Sequence, residues 1–324
     1  MADHADDNDI RDIFIYRGGR APLHVTHVRI DKSVDEIEKN AFRYCEDLLQ
    51  VDTHDGIRKV GRSAFLICKS LRRINLKSVV EIDDFAFYGC ANLESVEFGD
   101  RLETIGSLAF RACSLTHLKL PSIITIEAVA FYDCTRLIDI ELSERLETIE
   151  AQAFGHCERL QRIAIPLKRD VLPIDDEWQK YNQFDECEQL TTVNLVGGIQ
   201  KTVASLHMDS WRTEMIAEIN RINQILPTTL APEKTDVIRQ WMESVVDKID
   251  HYKAEHYRYV KEGITLLELA VWKSKLGEKE EYAAEGETKK AKVDPERERK
   301  ERRITCGASI VIKNVLPFLQ LQQD

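Results

Sequence analysis

Apolar residues return in one fixed order along the first 197 residues of the chain. The set Val34, Ile37, Ala41, Phe42, Cys45, Leu48 is followed by Ile57, Val60, Ala64, Phe65, Cys68, Leu71. It comes back around Phe87, Phe110, Phe131 and Phe154, with an altered copy at Phe184. Neighbouring phenylalanines lie 23, 22, 23, 21, 23 and 30 residues apart. A period in the twenties predicts a stacked solenoid. The Ala-Phe pair with Cys three residues on predicts one tight helical turn, with Phe and Cys both facing inward. The stretch after it, as in Leu71-Arg-Arg-Ile74-Asn-Leu76 or Leu160-Gln-Arg-Ile163-Ala-Ile165, alternates in, out, in and predicts a strand. Pairs such as Leu102 with Ile105 and Leu146 with Ile149 return the chain across the core. In the fourth repeat one residue is missing between Cys113 and Leu115, so a tighter turn is expected there. Each coil exposes two apolar flanks that only its neighbours can cover, which makes stability cooperative between repeats.

A stacked array must also hide its first and last faces. At the front, Ile13–Tyr16 and Val25–Ile30 predict two strands around the turn signal Arg17-Gly-Gly-Arg20, a capping hairpin over residues 1–30. At the back, the extra residues Val171–Tyr181 either cover the final coil or protrude as a binding loop. Past Gly197-Gly198 the period becomes helical. Met208, Trp211, Met215, Ile219, Ile222 and Leu226 form one stripe, and Ile238, Trp241, Val245, Ile249, Tyr252, His256 and Tyr259 a second. Pro227 and Pro232 bracket the break between them, which predicts an antiparallel helical pair. The apolar run Thr265–Trp272 is expected to complete its core, after a bend at Gly263, with Gly277 as the stop.

The predicted organisation is therefore a cap over 1–30, a solenoid over 31–198 and a helical domain over 199–277. A charged linker over 278–303 and an apolar segment over 304–324 follow, the latter a helix through Ala308, Val311, Val315 and Leu319 or a strand at Ile310–Ile312. That last segment is expected to dock on the helical domain or on a partner, because leaving it in water is costly.

Charge narrows the function classes. The formal net charge of -11 disfavours nucleic acid as a partner. Within 278–303, Lys289–Lys292 and Arg297–Arg303 resemble a bipartite nuclear import signal, diluted by Glu296, Glu298 and Glu301; the bland alternative is a solvated charged run. No run has the length of a membrane span, and the acidic start has no secretory pattern. Eight cysteines without such a leader predict free thiols, and hence the cytoplasm or the nucleus.

Chemistry finds little support. Seven cysteines (Cys45, Cys68, Cys90, Cys113, Cys134, Cys157 and Cys187) occupy one repeated position. Stacked equivalents lie side by side, where sulfurs cannot converge on a metal, so they read as small apolar fillers. Asp247, His251 and Glu255 share a helix face with His256 nearby, but no H-E-x-x-H motif supports a metal site. Neither a phosphate-binding glycine loop nor a nucleophile elbow occurs, and no catalytic residue, metal or cofactor is assigned.

The better candidate is the outward side of the long strands. One predicted column runs His27, Gln50, Arg73, Ser95, His117, Asp139, Arg162, Thr192; the other runs Arg29, Asp52, Asn75, Glu97, Lys119, Glu141, Ala164, Asn194. From Arg73 to Asn194, Ala164 apart, these are the candidate partner-binding residues. Inward positions keep their type while these vary, as a protein-recognition face would and as an ordinary solvated face would too.

The repeated pattern I-x-x-I-x-x-x-A-F-x-x-C-x-x-L-x-x-V-x-L over residues 23–197 resembles leucine-rich repeats of the bacterial surface-antigen (BspA-like) and Treponema-like type. The resemblance implies an α/β fold: a curved, right-handed solenoid with a parallel sheet on its concave side, bearing protein-binding roles. Repeats followed by a helical tail are also similar to intracellular leucine-rich-repeat proteins of diatoms. The expected function is a non-catalytic module that binds a protein or peptide on the concave face, with the helical domain as a second contact or a self-association site. A nuclear regulator imported through the basic segment is the alternative. A ubiquitin-transferring enzyme using Cys306 is a remoter one, since Cys306-Gly-Ala lacks the nearby Asp of the bacterial ligases it resembles in outline.

Overall fold

The computed structural model describes residues 13–174 and 182–284. The basic clusters of 289–303, Cys306, the segment 304–324 and most of the Val171–Tyr181 insertion lie outside the described residues. The chain divides into two units: one holds the repeats through Thr202 together with Glu214–Val246, the other Val203–Thr213 and the chain from Asp247 onward.

In the repeats every strand pair is parallel. Longer strands, among them His27–Ile30, Gln50–Asp52, Arg73–Leu76, Ser95–Phe98, His117–Lys119, Asp139–Glu141, Arg162–Ile165 and Thr192–Leu195, supply one side of each coil. Two-residue strands supply another side, which the sequence pattern had marked only as a crossing of the core. Glu36–Ile37, Lys59–Val60, Glu81–Ile82, Thr104–Ile105, Thr125–Ile126 and Thr148–Ile149 line up as a six-stranded parallel sheet. The second residue of each pair is buried, so these short strands fix the apolar register of the return side.

The phenylalanines form one continuous stack. Phe42, Phe65, Phe87, Phe110 and Phe131 follow one another at 5.0–5.2 Å between ring centroids, and Phe154 and Phe184 extend the series at 5.2 and 5.8 Å. Their planes lie within 11° of parallel because each ring sits on the same backbone one coil further on. Offset-stacked rings are a favoured arrangement beyond their burial alone.

The turn that carries them differs from the expected helical turn. Residues two before and two after the phenylalanine adopt left-handed backbone, as at Asn40 and Tyr44, Ser63 and Ile67, Leu108 and Ala112, Val129 and Asp133. Gly89 holds the same place after Phe87. Between them Cys45 N–H donates to Phe42 O at 3.1 Å within the turn, whereas Phe42 N–H donates to Ala64 O of the next coil at 2.7 Å. The latter bond recurs from Phe65 to Ala86, Phe87 to Ala109, Phe110 to Ala130 and Phe131 to Ala153 at 2.7–2.8 Å. A helix would have turned that N–H inward to its own chain. Left-handed residues cost about 1–2 kcal/mol each for non-glycine side chains, and the intercoil hydrogen bonds they make possible offset it.

Two further expectations change. Ile13–Tyr16 and His27–Ile30 are strands, but they pair parallel, Ile13 beside His27 and Tyr16 beside Ile30. The front is thus another coil rather than a hairpin: ten residues between the strands let the chain cross over, and Tyr16 starts the aromatic series, 4.9 Å from Phe42. The C-terminal helices are α1 (Ile199–Val203), α2 (Asp209–Ile225) and α3 (Lys234–Ala284). Helix α3 passes through Gly263 and Gly277 without a break. A glycine there costs helix propensity of about 1 kcal/mol, too little to stop a helix of this length. Among the described residues, the run Thr265–Trp272 does not complete a core: Leu266, Leu267, Leu269, Val271 and Trp272 are all more than half exposed.

Candidate functional site

The long strands bring the two predicted columns into register. His27 stands beside Gln50, Arg73 beside Ser95, and His117, Asp139, Arg162 and Thr192 follow in one row. In the second column Arg29 is beside Asp52, Asn75 beside Glu97, and Lys119, Glu141, Ala164 and Asn194 are consecutive. The long strands fall into parallel sheets of three, two and four strands, and within each sheet the predicted residues share one strand face, because an alternating strand in a fixed parallel register cannot scatter them.

Charge on this face is largely paired along the stack. Arg162 Nη2 donates to Asp139 Oδ2 at 2.6 Å, Lys119 Nζ lies 3.0 Å from Glu141, Lys77 2.8 Å from Glu97 and Arg29 3.6 Å from Asp52. The hydrogen bond from Lys77 holds the Glu97 carboxyl below its ordinary range, with its charge adding to the effect. Exposed pairs of this kind contribute little net stability, so they can exchange for partner contacts at small cost. Two groups stand apart. The Arg73 side chain makes no ion pair or hydrogen bond among the described residues and acts on Glu97 only at longer range. Asp139 Oδ1 is buried and accepts no hydrogen bond among the described residues.

Two hollows open on the face. One of about 380 Å³ is lined by Leu49, Gln50, Arg72, Arg73, Glu94 and Ser95. Another of about 400 Å³ lies where the last strands meet α2, with Asp139, Glu141, Arg162, Asn194, Asn220 and Asn223 in its wall. The two helix asparagines are absent from the sequence-derived site. Asn223 accepts from Val193 N–H at 2.7 Å and donates to Val193 O at 3.1 Å, completing the edge strand as another strand would. A signal existed: asparagine is a poor interior helix residue, and α2 carries two of them three apart.

The cysteine position is more than an apolar filler. From the second position onward each buried thiol donates to the phenylalanine carbonyl of the preceding coil, from Cys68 to Phe42 at 3.1 Å through Cys187 to Phe154 at 3.1 Å. Cys45, in the first position, donates to Pro22 O at 3.5 Å. Burial pushes the Cys134 thiol up to about 12, which keeps it protonated and unreactive at neutral pH. Among the described residues no group of three or more His, Cys, Asp or Glu is placed to hold a metal ion. His256 stacks on His207 with centroids 4.0 Å apart, and burial, then the neighbouring His207, lowers its basicity.

Solved structures resemble the chain at low similarity. A leucine-rich repeat protein from Eubacterium ventriosum is 28% identical with a TM-score of 0.41, over 44% of this chain and 40% of its own. The leucine-rich repeat protein of Treponema pallidum is 23% identical with a TM-score of 0.38, over 56% of this chain and 72% of its own. The pneumococcal vaccine antigen PcpA is 18% identical with a TM-score of 0.31, over 56% of this chain and 65% of its own. This chain thus spans well under half the length of the first of these. No curated protein sequence matches it. The profile of the BspA type leucine rich repeat region matches six copies, in overlapping stretches 22–134, 68–191 and 109–225. Together these stretches span residues 22–225, more than half of the chain, and the chain belongs to the BspA-type leucine-rich-repeat family.

Proposed function

We propose that the long-strand face binds a protein or peptide and performs no chemistry on it. One observation carries this reading: inward positions repeat Val, Ile or Leu while the outward columns change at every coil, from Arg73 and Asn75 to Ser95 and Glu97 to His117 and Lys119. Packing dictates the first set and leaves the second free to match a partner. The hollow bounded by Asp139, Asn194 and Asn223 gives a partner side chain somewhere to enter. Affinity would come from many modest contacts on a surface ordered in advance, which lowers the entropic cost of association. Membership in a repeat family of interaction modules supports the same conclusion.

The test is positional. A photo-crosslinking residue at Ser95 or Asn194, on the long strands, should trap a partner that the same residue at Glu36, on the return strands, does not. Equal trapping from Glu36 would remove the face from consideration. Charge reversal at Asp139 and Glu141 is a weaker probe, since it also breaks their pairs with Arg162 and Lys119.

A further inference from the structure

Helix α3 carries one apolar stripe through two different surroundings. Ile238, Trp241, Val245 and Ile249 are buried, and Tyr252 and His256 stack on Trp211 and His207. Beyond His256 the stripe continues through Val260, Ile264, Leu267 and Val271, flanked by Leu266, Leu269 and Trp272. Along it the pattern inverts: Leu266 is 66% exposed, Leu267 67% and Trp272 60%. From Ile264 to Trp272 the only charged residue is Glu268. A helix apolar on nearly every side is a helix that something covers.

The sequence supplies an occupant of matching character. Residues 304–321 contain Ile304, Ile310, Val311, Ile312, Val315, Leu316, Phe318, Leu319 and Leu321, with Lys313 as their one charge. They follow Ala284, the end of α3, after the strongly charged stretch 285–303. Returning from Ala284 to Trp272 means travelling back along about 18 Å of helix. A random coil of as many residues as 285–303 has a root-mean-square span of about 24 Å, so a tether of this length reaches the distance. A tether that fits gives an effective concentration on the order of millimolar, far above the micromolar concentration of a second copy of the chain.

We propose that residues 304–321 dock, antiparallel, along the Ile264, Leu267 and Val271 side of α3. The second unit is then closed by its own chain, with the charged stretch as the return loop. The juxtaposition also accounts for the composition of 285–303, whose charges keep the return in water while the segments on either side associate.

Hydrogen exchange on the full chain, followed by mass spectrometry at 1 and 50 µM, tests this. Amides of 264–272 should be equally protected at both concentrations. The double variant Val315→Asp, Leu319→Asp should speed their exchange at least tenfold, and Leu267→Asp should do the same to residues 308–319. Unchanged protection of the repeat amides identifies variants that still fold. Indifference of 264–272 to the tail substitutions overturns the proposal. So does protection that rises from 1 to 50 µM together with the sedimentation coefficient, which would make a second copy the occupant.

Discussion

The repeats and the closing helices meet the same set of exposed groups in two different ways. Between coils, Phe110 N–H finds Ala130 O, and the ring of Phe110 lies between Phe87 and Phe131. At the last coil there is no next backbone, and side chains stand in for it. Phe184 N–H donates to Thr235 Oγ1 at 3.1 Å, Lys234 Nζ donates to Cys187 O at 3.1 Å and also to Glu188 O, and Arg239 Nε donates to Leu172 O at 2.7 Å. Asn182 reaches Pro232 O at 2.9 Å, and Asn223 completes Val193. Coil-on-coil contact is self-templated: whatever one rung exposes, an identical rung covers. The closing contact is made once, by individual side chains each fitted to its own orphaned groups, and Lys234 accepts burial that lowers its basicity to serve there.

The strongest way to break the first kind of contact is in the middle of the stack. Phe110→Ala removes three ring contacts at once, with Phe87, Phe98 and Phe131, and leaves a cavity, which should cost about 3–5 kcal/mol; the midpoint of urea unfolding measures it. Coupling between coils predicts one cooperative transition at lower urea. Two separated transitions would show that the coils on either side are independent.

The closing contact should yield less per group. Thr235→Val keeps the shape and removes the acceptor of Phe184 N–H, for about 1–3 kcal/mol as a buried donor goes unpaired. A loss below a few tenths of a kcal/mol would mean that the final coil is not closed by this hydroxyl.

Smaller still is the thiol hydrogen bond inside the array. Cys134→Ala loses the donor to Phe110 O and a little volume, for about 1 kcal/mol. In a Cys306→Ser background, native protein should give almost no reaction with a thiol reagent at pH 8, and the seven repeat thiols should react only on unfolding. Prompt native labelling of several would contradict their burial.

The smallest effect distinguishes charge from shape. Glu127 accepts from Ser107 N–H at 3.0 Å, and burial, reinforced by the nearby Asp84 and Glu150, lifts its carboxyl above the ordinary range. A raised carboxyl favours the fold in its protonated form, so its contribution is present at low pH and is lost as pH rises through the raised value. Glu127→Gln keeps an acceptor and removes the charge. It should raise the thermal midpoint slightly at pH 7, with the gain gone near pH 4; an equal gain at both would point to packing instead.

The array was legible because its information is periodic. Phe42 and Phe65 meet the same environment, so their spacing alone places both in the core and sets the outward columns in register. What the pattern missed had no periodic signal or had the wrong local one. Ala-Phe-x-x-Cys looks like a helical turn until a neighbouring coil offers Ala64 O to Phe42 N–H; that competing acceptor is invisible in a single repeat. Asn220 and Asn223 belong to the hollow only because α2 lies along the last strand; two asparagines inside a helix signal that something needs them without saying where it lies. The front strands were placed correctly and paired wrongly, since the glycines of Arg17–Arg20 mark a turn without telling whether the chain doubles back or crosses over.

By itself, the sequence determined which residues face inward, because a side-chain period of two in a strand and a fixed repeat length admit only one apolar face. Which groups end the stack, which carbonyl each cysteine bonds and how the long-strand charges pair were decided by tertiary structure. Those depend on distances between atoms remote in the chain, and hydrogen bonds act only over about 3 Å.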